Sequence, residues 1–175
     1  MADETFEVSA LDGMRCFAAT TDGSTSKVEE VAPLRGTVPG GAFETAWFWQ
    51  CDETPVLPDA AGAAPVASSF PLPGGVKFGV LSLPPGSGGR MRRRSGDQGD
   101  MPTGLSDHDA ETGMHATRSL DLEFVISGRL RLELPGGITQ TLGPGDSIVM
   151  AGAPHRWSNP FDEPCVYAAV IVGAR

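Results

Sequence analysis

The sequence predicts an all-β domain, arranged as a meander or a closed barrel, and three observations point to it. Chain breakers fall every few residues, with 23 glycines and 15 prolines among 175 positions, so long uninterrupted helices have little room. The stretches between breakers are short, and many alternate apolar with polar side chains, the period of a half-buried strand. The composition is that of a folded protein, 40% hydrophobic and 20% charged. It excludes collagen, coiled coil and wholesale disorder, and the length suits one domain with a sizeable core.

In chain order, residues 14–20 and 43–50 read as strands, the second holding Trp47, Phe48 and Trp49. Residues 55–75 are rich in Ala, Pro and Ser, and only 66–70 could form a short strand. Residues 76–83 alternate and stop at Pro84-Pro85-Gly86. Residues 87–112 lack apolar periodicity and read as one long loop, a rare feature that in compact domains is usually functional or disordered. A short helical turn over 107–114 is the alternative. From Ser119 the pattern is regular. Strands at 120–126, 129–134, 138–142, 147–151, 155–159 and 165–172 are separated by turns at Ser127-Gly128, Pro135-Gly136-Gly137, Gly143-Pro144-Gly145-Asp146, Gly152-Ala153-Pro154 and 160–164.

A net charge of −9 argues against nucleic acid or an anionic membrane as partner. The one basic run, Arg90, Arg92, Arg93 and Arg94, reads as a solvated loop or an anion site. No apolar run is long enough to span a membrane, and the acidic start Met1-Ala2-Asp3-Glu4 is followed by no secretory-type segment. A cytoplasmic protein is expected. Cys16, Cys51 and Cys165 are odd in number and far apart, which disfavours a disulfide framework; Cys165 opens an apolar run and reads as a buried thiol.

The chain has only three histidines, His108, His115 and His155. His115 precedes the regular strands and His155 lies near their end, so a rolled sheet could bring them together. On the first regular strand Asp121, Glu123 and Val125 share one face, with Leu120, Leu122, Phe124 and Ile126 on the other. Alternation leaves open whether the carboxylate face meets solvent or the interior. His155, Trp157 and Asn159 share a face, where Trp157 is either core or the wall of a pocket. His108, between two aspartates, reads as a surface residue or part of a lid. Thr117 is a pocket hydrogen-bond donor or simply a β-branched strand residue.

The stretch His115-Ala116-Thr117-Arg118-Ser119-Leu120-Asp121, followed after six residues by Gly128, together with Gly145-Asp146 through Gly152-Ala153-Pro154-His155, Trp157 and Asn159, resembles the two motifs of the cupin family. The likeness is to small cupins whose first motif reads H-x-T-x-S-x-D; it is strong over 113–175 and weaker over 43–86. It implies a double-stranded β-helix, or jelly-roll, barrel with extra N-terminal strands. One domain over 1–175 is expected, with an irregular extension to 75, barrel core from 76 and a long loop at 84–113. It also implies a divalent metal, Fe(II) or Zn(II), held by His115, Asp121 and His155, the donor set of two-His-one-carboxylate centres. This chain departs from the family pattern at three places. Thr117 replaces a histidine ligand, Asp121 replaces a glutamate, and Asp109 stands at a glycine position.

The function implied is an enzyme acting on a small molecule inside the barrel, with dioxygenase-like chemistry on a phenolic or ketone-like substrate. Glu123 would be the catalytic proton carrier, and Thr117 and Trp157 would line the substrate pocket. A redox-neutral lyase, isomerase or cyclase and a non-catalytic binding protein are the alternatives, because the fold hosts all of these. Exposed sheet edges and the resemblance suggest a homodimer.

Overall fold

The computed structural model describes residues 9–22, 24–37, 43–56, 70–88, 105–109 and 112–175. Its strands are β1 (Cys16–Asp22), β2 (Thr25–Val31), β3 (Leu34–Thr37), β4 (Glu44–Cys51), β5 (Val76–Leu83), β6 (Ser87–Gly88) and β7 (Leu105–His108). They continue with β8 (His115–Thr117), β9 (Ser119–Ser127), β10 (Leu130–Leu134), β11 (Ile138–Leu142), β12 (Ser147–Ala151), β13 (Arg156–Asn159) and β14 (Cys165–Gly173).

Two sheets enclose the core. One has six strands in the order β12-β9-β14-β5-β4-β3, and the other has four in the order β11-β10-β13-β6. All their pairings are antiparallel. Five of the eight pairings join strands that are not consecutive in the chain, the wound connectivity of a jelly roll. The all-β jelly-roll barrel is therefore the observed architecture, and β1–β2 and β7–β8 form separate two-stranded sheets beside it.

Alternation decides what lies inside. On β14 Cys165, Tyr167, Ala169 and Ile171 are buried, and their β5 partners Leu83, Leu81, Gly79 and Lys77 are buried with them. Leu130, Leu132, Leu142 and Trp157 close the same core from the four-stranded sheet. A second cluster lies on the outer side of the large sheet, where Leu11 covers Ala46, Phe48, Val80 and Val166. Asn159 fastens the barrel near its end: its amide nitrogen donates to the Leu83 and Glu163 carbonyls, both at 2.8 Å, and its oxygen accepts from the Phe161 N–H. At Gly128 φ is +69°, and a Cβ there would collide with the Pro164 carbonyl, so the turn leaving β9 requires glycine.

The structure differs from the sequence expectation in two places. The segment 87–112 is not one unbroken loop. β6 pairs with β13, and β7 pairs with β8, with the His108 and His115 backbones opposite each other. Where a helical turn was the alternative, there is instead the tight return of a hairpin. Asp109 N–H donates to the Met114 carbonyl, and the Asp109 carboxylate accepts from the Thr112 N–H and hydroxyl. β2 and β3 are strands without apolar periodicity. The arginine run 90–94, the segment 66–69, the first eight residues and the His108 side chain lie outside the described residues. Among the described residues no helix is long and apolar enough to cross a membrane.

Candidate functional site

Strand β9 turns its carboxylates inward. Asp121 is 5% exposed, and Glu123 is partly buried with its Oε2 enclosed, whereas Leu122, Phe124 and Ile126 face out and are exposed. The inner row is completed by β12, where Met150 lies opposite Asp121 and Ile148 opposite Glu123. The open question about this strand is thus answered in favour of the interior.

The backbones of His115 and His155 exchange N–H···O bonds of 2.9 and 2.8 Å, which stitches β8 to the start of β13 and sets the rings 4.5 Å apart. Each ring is oriented from behind. His115 Nδ1 lies 3.2 Å from the Gly113 carbonyl, and His155 Nδ1 lies 2.8 Å from the Ala153 carbonyl. A carbonyl can only accept, so Nδ1 is the donor in both rings. Burial lowers the His155 pKa, against the opposing pull of the Ala153 carbonyl, and keeps that ring neutral.

Thr117 is 3% exposed and ties the first motif together. Ser119 Oγ donates to Thr117 Oγ1 at 2.7 Å, and Thr117 Oγ1 donates in turn to Asp121 Oδ2 at 3.4 Å. Burial raises the Asp121 pKa, offset in part by Ser119, Thr117 and the charge of His115. Burial, then the neighbouring Asp121 charge, pushes Glu123 up to about 8. Trp157 continues the wall beyond His155, with ring centroids 6.0 Å apart, and meets Tyr167 at 6.3 Å. Burial lifts the Tyr167 phenol well above its ordinary range. Cys165, fully buried, is pushed up to about 12 by burial and by Glu123 and Glu163, which makes it an inert thiol.

The expected metal donors can be tested on this geometry. His115 and His155 present the tautomer and backing carbonyls typical of metal-ligating imidazoles, and Asp121 Oδ1 is buried with no hydrogen-bond partner. However, Thr117 fills the position of a third imidazole and its hydroxyl is engaged with Ser119 and Asp121. Among the described residues no three His, Cys, Asp or Glu side chains are grouped to hold an ion. As placed, the donors do not make a three-point metal centre.

Three interior residues were not singled out by sequence reasoning. Lys77 is 1% exposed, and its Nζ lies 4.2 Å over the Trp47 ring. Trp47, 5% exposed, holds its indole Nε1 buried without a partner. Counting back by twos from Leu83 and Leu81 does place Lys77 on the inner face. Trp47 was hidden because the register shifts between Trp47 and Trp49. Ser119, the third, is simply two residues before Asp121 on the same face.

With this geometry in view, residues 107–172 match the family model described as a cupin domain. The match covers well under half of the chain. No curated protein matches the sequence. Among solved structures, the chain is similar to the cupin domain of an XRE family transcriptional regulator from Enterobacter cloacae, at 23% identity over 57% of this chain and 83% of that one, TM-score 0.37. It is also similar to the DMSP lyase DddQ from Ruegeria pomeroyi, at 18% identity and TM-score 0.39, over 56% of this chain but only 38% of the lyase. A putative ethanolamine utilization protein Q from Salmonella typhimurium aligns over 93% of this chain and 98% of its own, at 12% identity and TM-score 0.47.

Proposed function

We propose that the barrel interior binds a small polar organic molecule and moves a proton on it, in redox-neutral chemistry of the lyase or isomerase type. The observation that carries this reading is a set of buried polar atoms without partners on the inner wall: Asp121 Oδ1, Glu123 Oε2 and Trp47 Nε1. Buried polar groups are nearly always satisfied, and one left open is costly unless something fills the site. A polar ligand supplies the missing partners.

The protonation states support the chemistry. A carboxyl near 8 holds its proton at neutral pH, while the His155 ring is held neutral. The interior therefore offers an acid and a base together, the condition for general acid–base catalysis. In this reading Glu123, which holds its proton at neutral pH, gives it to the substrate oxygen as negative charge develops there. His155, backed by Ala153, accepts at Nε2, and Asp121, fixed by Thr117, orients the substrate. Trp157 and Tyr167 exclude water. Dioxygenase-like chemistry has less support, because it needs three ligands on one ion where two imidazoles meet.

The test is hydrogen exchange. Small ketones, hydroxyketones and hydroxy acids are incubated with the protein in D₂O, and proton NMR follows loss of the C–H signal beside the carbonyl. Exchange of at least one compound, reduced about 100-fold or more in Glu123→Gln, is the expected result. Absence of exchange across the panel, or exchange unchanged in Glu123→Gln, removes the reading.

A further inference from the structure

The outer face of the six-stranded sheet is apolar across β12, β9, β14 and β5, and the chain covers only one side of it. Strand pairing carries outward rows across the sheet. One row runs Ser147, Phe124, Ala168 and Val80, and the next runs Val149, Leu122, Val170 and Phe78. Over β4 and β5 the chain's own N-terminal segment closes the face, with Leu11 in one cluster with Val80 and with Phe78 packed against it. Over β9 and β12 the same rows reach solvent. Leu122 is 39% exposed, Phe124 47%, Ile126 42% and Val149 64%. An antiparallel sheet with one wet face normally turns polar side chains to the water.

The bare side is also free of charge. Along the outward positions of β12, β9 and β14 no side chain is charged and Ser147 alone is polar, in a chain whose net charge is −9. Charge depletion of this kind marks the centre of a protein contact. It also narrows what can sit there. A basic partner finds no carboxylate on these rows to pair with. A second copy of this acidic chain meets no like charge at the contact, and a two-fold contact requires a patch that complements itself. A surface with neither charges nor a donor–acceptor pattern meets that requirement. Its place in the sheet suits the approach, because β12 is the terminal strand and the Leu11 cover lies toward the opposite edge.

We propose that the outer face of β9 and β12 is the contact between two copies of this chain, packed sheet against sheet across a two-fold axis. Three strands spaced about 4.8 Å apart, from Leu120 to Ile126 along β9, give an apolar centre of roughly 14 by 20 Å, about 280 Å² per copy. A standard interface takes about 800 Å² from each partner, so this face supplies about a third, and the polar rim supplies the rest. A dimer of roughly micromolar affinity is the expected consequence. The contact uses the side of β9 opposite Asp121 and Glu123, so it stands or falls independently of the chemistry inside the barrel.

The test is sedimentation of the full chain over about 1–200 μM, in wild type, Phe124→Lys, Val149→Lys and Val28→Lys. Val28, 68% exposed on the separate β1–β2 ribbon, is the control. The expected result is a wild-type dimer whose dissociation constant rises about tenfold or more in Phe124→Lys and Val149→Lys and is unchanged in Val28→Lys. Each lysine lowers the net negative charge, so weaker association cannot come from overall repulsion. If Phe124→Lys does not fold, Val149→Lys, at the more exposed position on the terminal strand, carries the comparison. Raising salt from about 0.05 to 0.5 M should tighten the wild-type dimer, because it screens the repulsion between two acidic bodies joined at an uncharged face. A monomer at every concentration overturns the proposal, whatever else covers the face. So does a dimer unchanged in the foldable Phe124 and Val149 variants, one weakened equally by Val28→Lys, or one that loosens as salt rises.

Discussion

Replacing Glu123 by glutamine removes a titration with a calculable effect on stability. The folded-state pKa, about 8, lies above the ordinary 4.5. Below pH 4.5 the carboxyl is protonated in both folded and unfolded chains and contributes no pH dependence. Between 4.5 and about 8 the unfolded chain ionises while the folded one keeps its proton, so stability present at low pH is lost as pH rises. At about 1.4 kcal/mol per unit, the full displacement corresponds to roughly 5 kcal/mol, and relaxation around a partly buried residue brings the expected loss to about 2–4 kcal/mol. Urea denaturation of wild type and Glu123→Gln at pH 5, 6.5 and 8 reads it. His155 works in the opposite sense: its lowered pKa costs stability as pH falls below 6.5, but it is common to both proteins and cancels in the difference. The variant is expected to gain on wild type steadily from pH 5 to 8. Parallel pH profiles would show that Glu123 titrates as an ordinary solvated carboxylate, and the interior acid would be lost from the argument.

Three further outcomes are expected. Protein purified without chelator carries no stoichiometric iron or zinc by elemental analysis; metal that is present in wild type and absent from both His115→Ala and His155→Ala would restore a metal-dependent reading. Asn159→Ala leaves two carbonyls and one N–H without their side-chain partner, at about 1 kcal/mol each. Its melting temperature should fall by about 6–12 °C, and a shift under 2 °C would mean that water replaces the amide freely. Cys165 should resist a thiol reagent in the native protein and react only after denaturation, with labelled peptides located by mass spectrometry; fast native labelling would contradict its burial.

The barrel from Ser119 onward was legible because turn residues bound each strand and alternation names two faces. Residues 76–83, 138–142 and 147–151 match the observed β5, β11 and β12. What alternation does not name is which face is inside. On β9 the usual assignment is reversed, with the hydrophobic side outward, so only the packed structure resolves the role of Asp121 and Glu123. β2 escaped notice because Thr25–Val31 is exposed almost throughout. It is held by its ladder to β1, and backbone pairing leaves no mark on side-chain pattern. The pairing of His115 with His155 was legible only as a possibility, since it depends on the closure of the barrel. Lys77 and Trp47 were obscured by the ordinary expectation that lysine faces water and by a register shift in β4.

The reversed face of β9 also bears on how the chain finds its fold. A one-residue slip of this strand would exchange Asp121 and Glu123 for Leu122 and Phe124 at the core. By hydrophobicity alone the slipped arrangement competes well, so β9 is a frustrated segment. Its side chains cannot choose the register, and the choice falls to its ends. Gly128, confined to a backbone conformation that other residues resist, fixes the exit, and Asp146, accepting the Gly143 N–H at 2.8 Å, fixes the return into β12. Mutations at these turns, remote from any chemistry, should therefore yield protein that aggregates or misfolds. Apolar replacements at Asp121 or Glu123 should raise stability and remove the role proposed for these carboxylates, the trade expected where polar groups are held in a core for function.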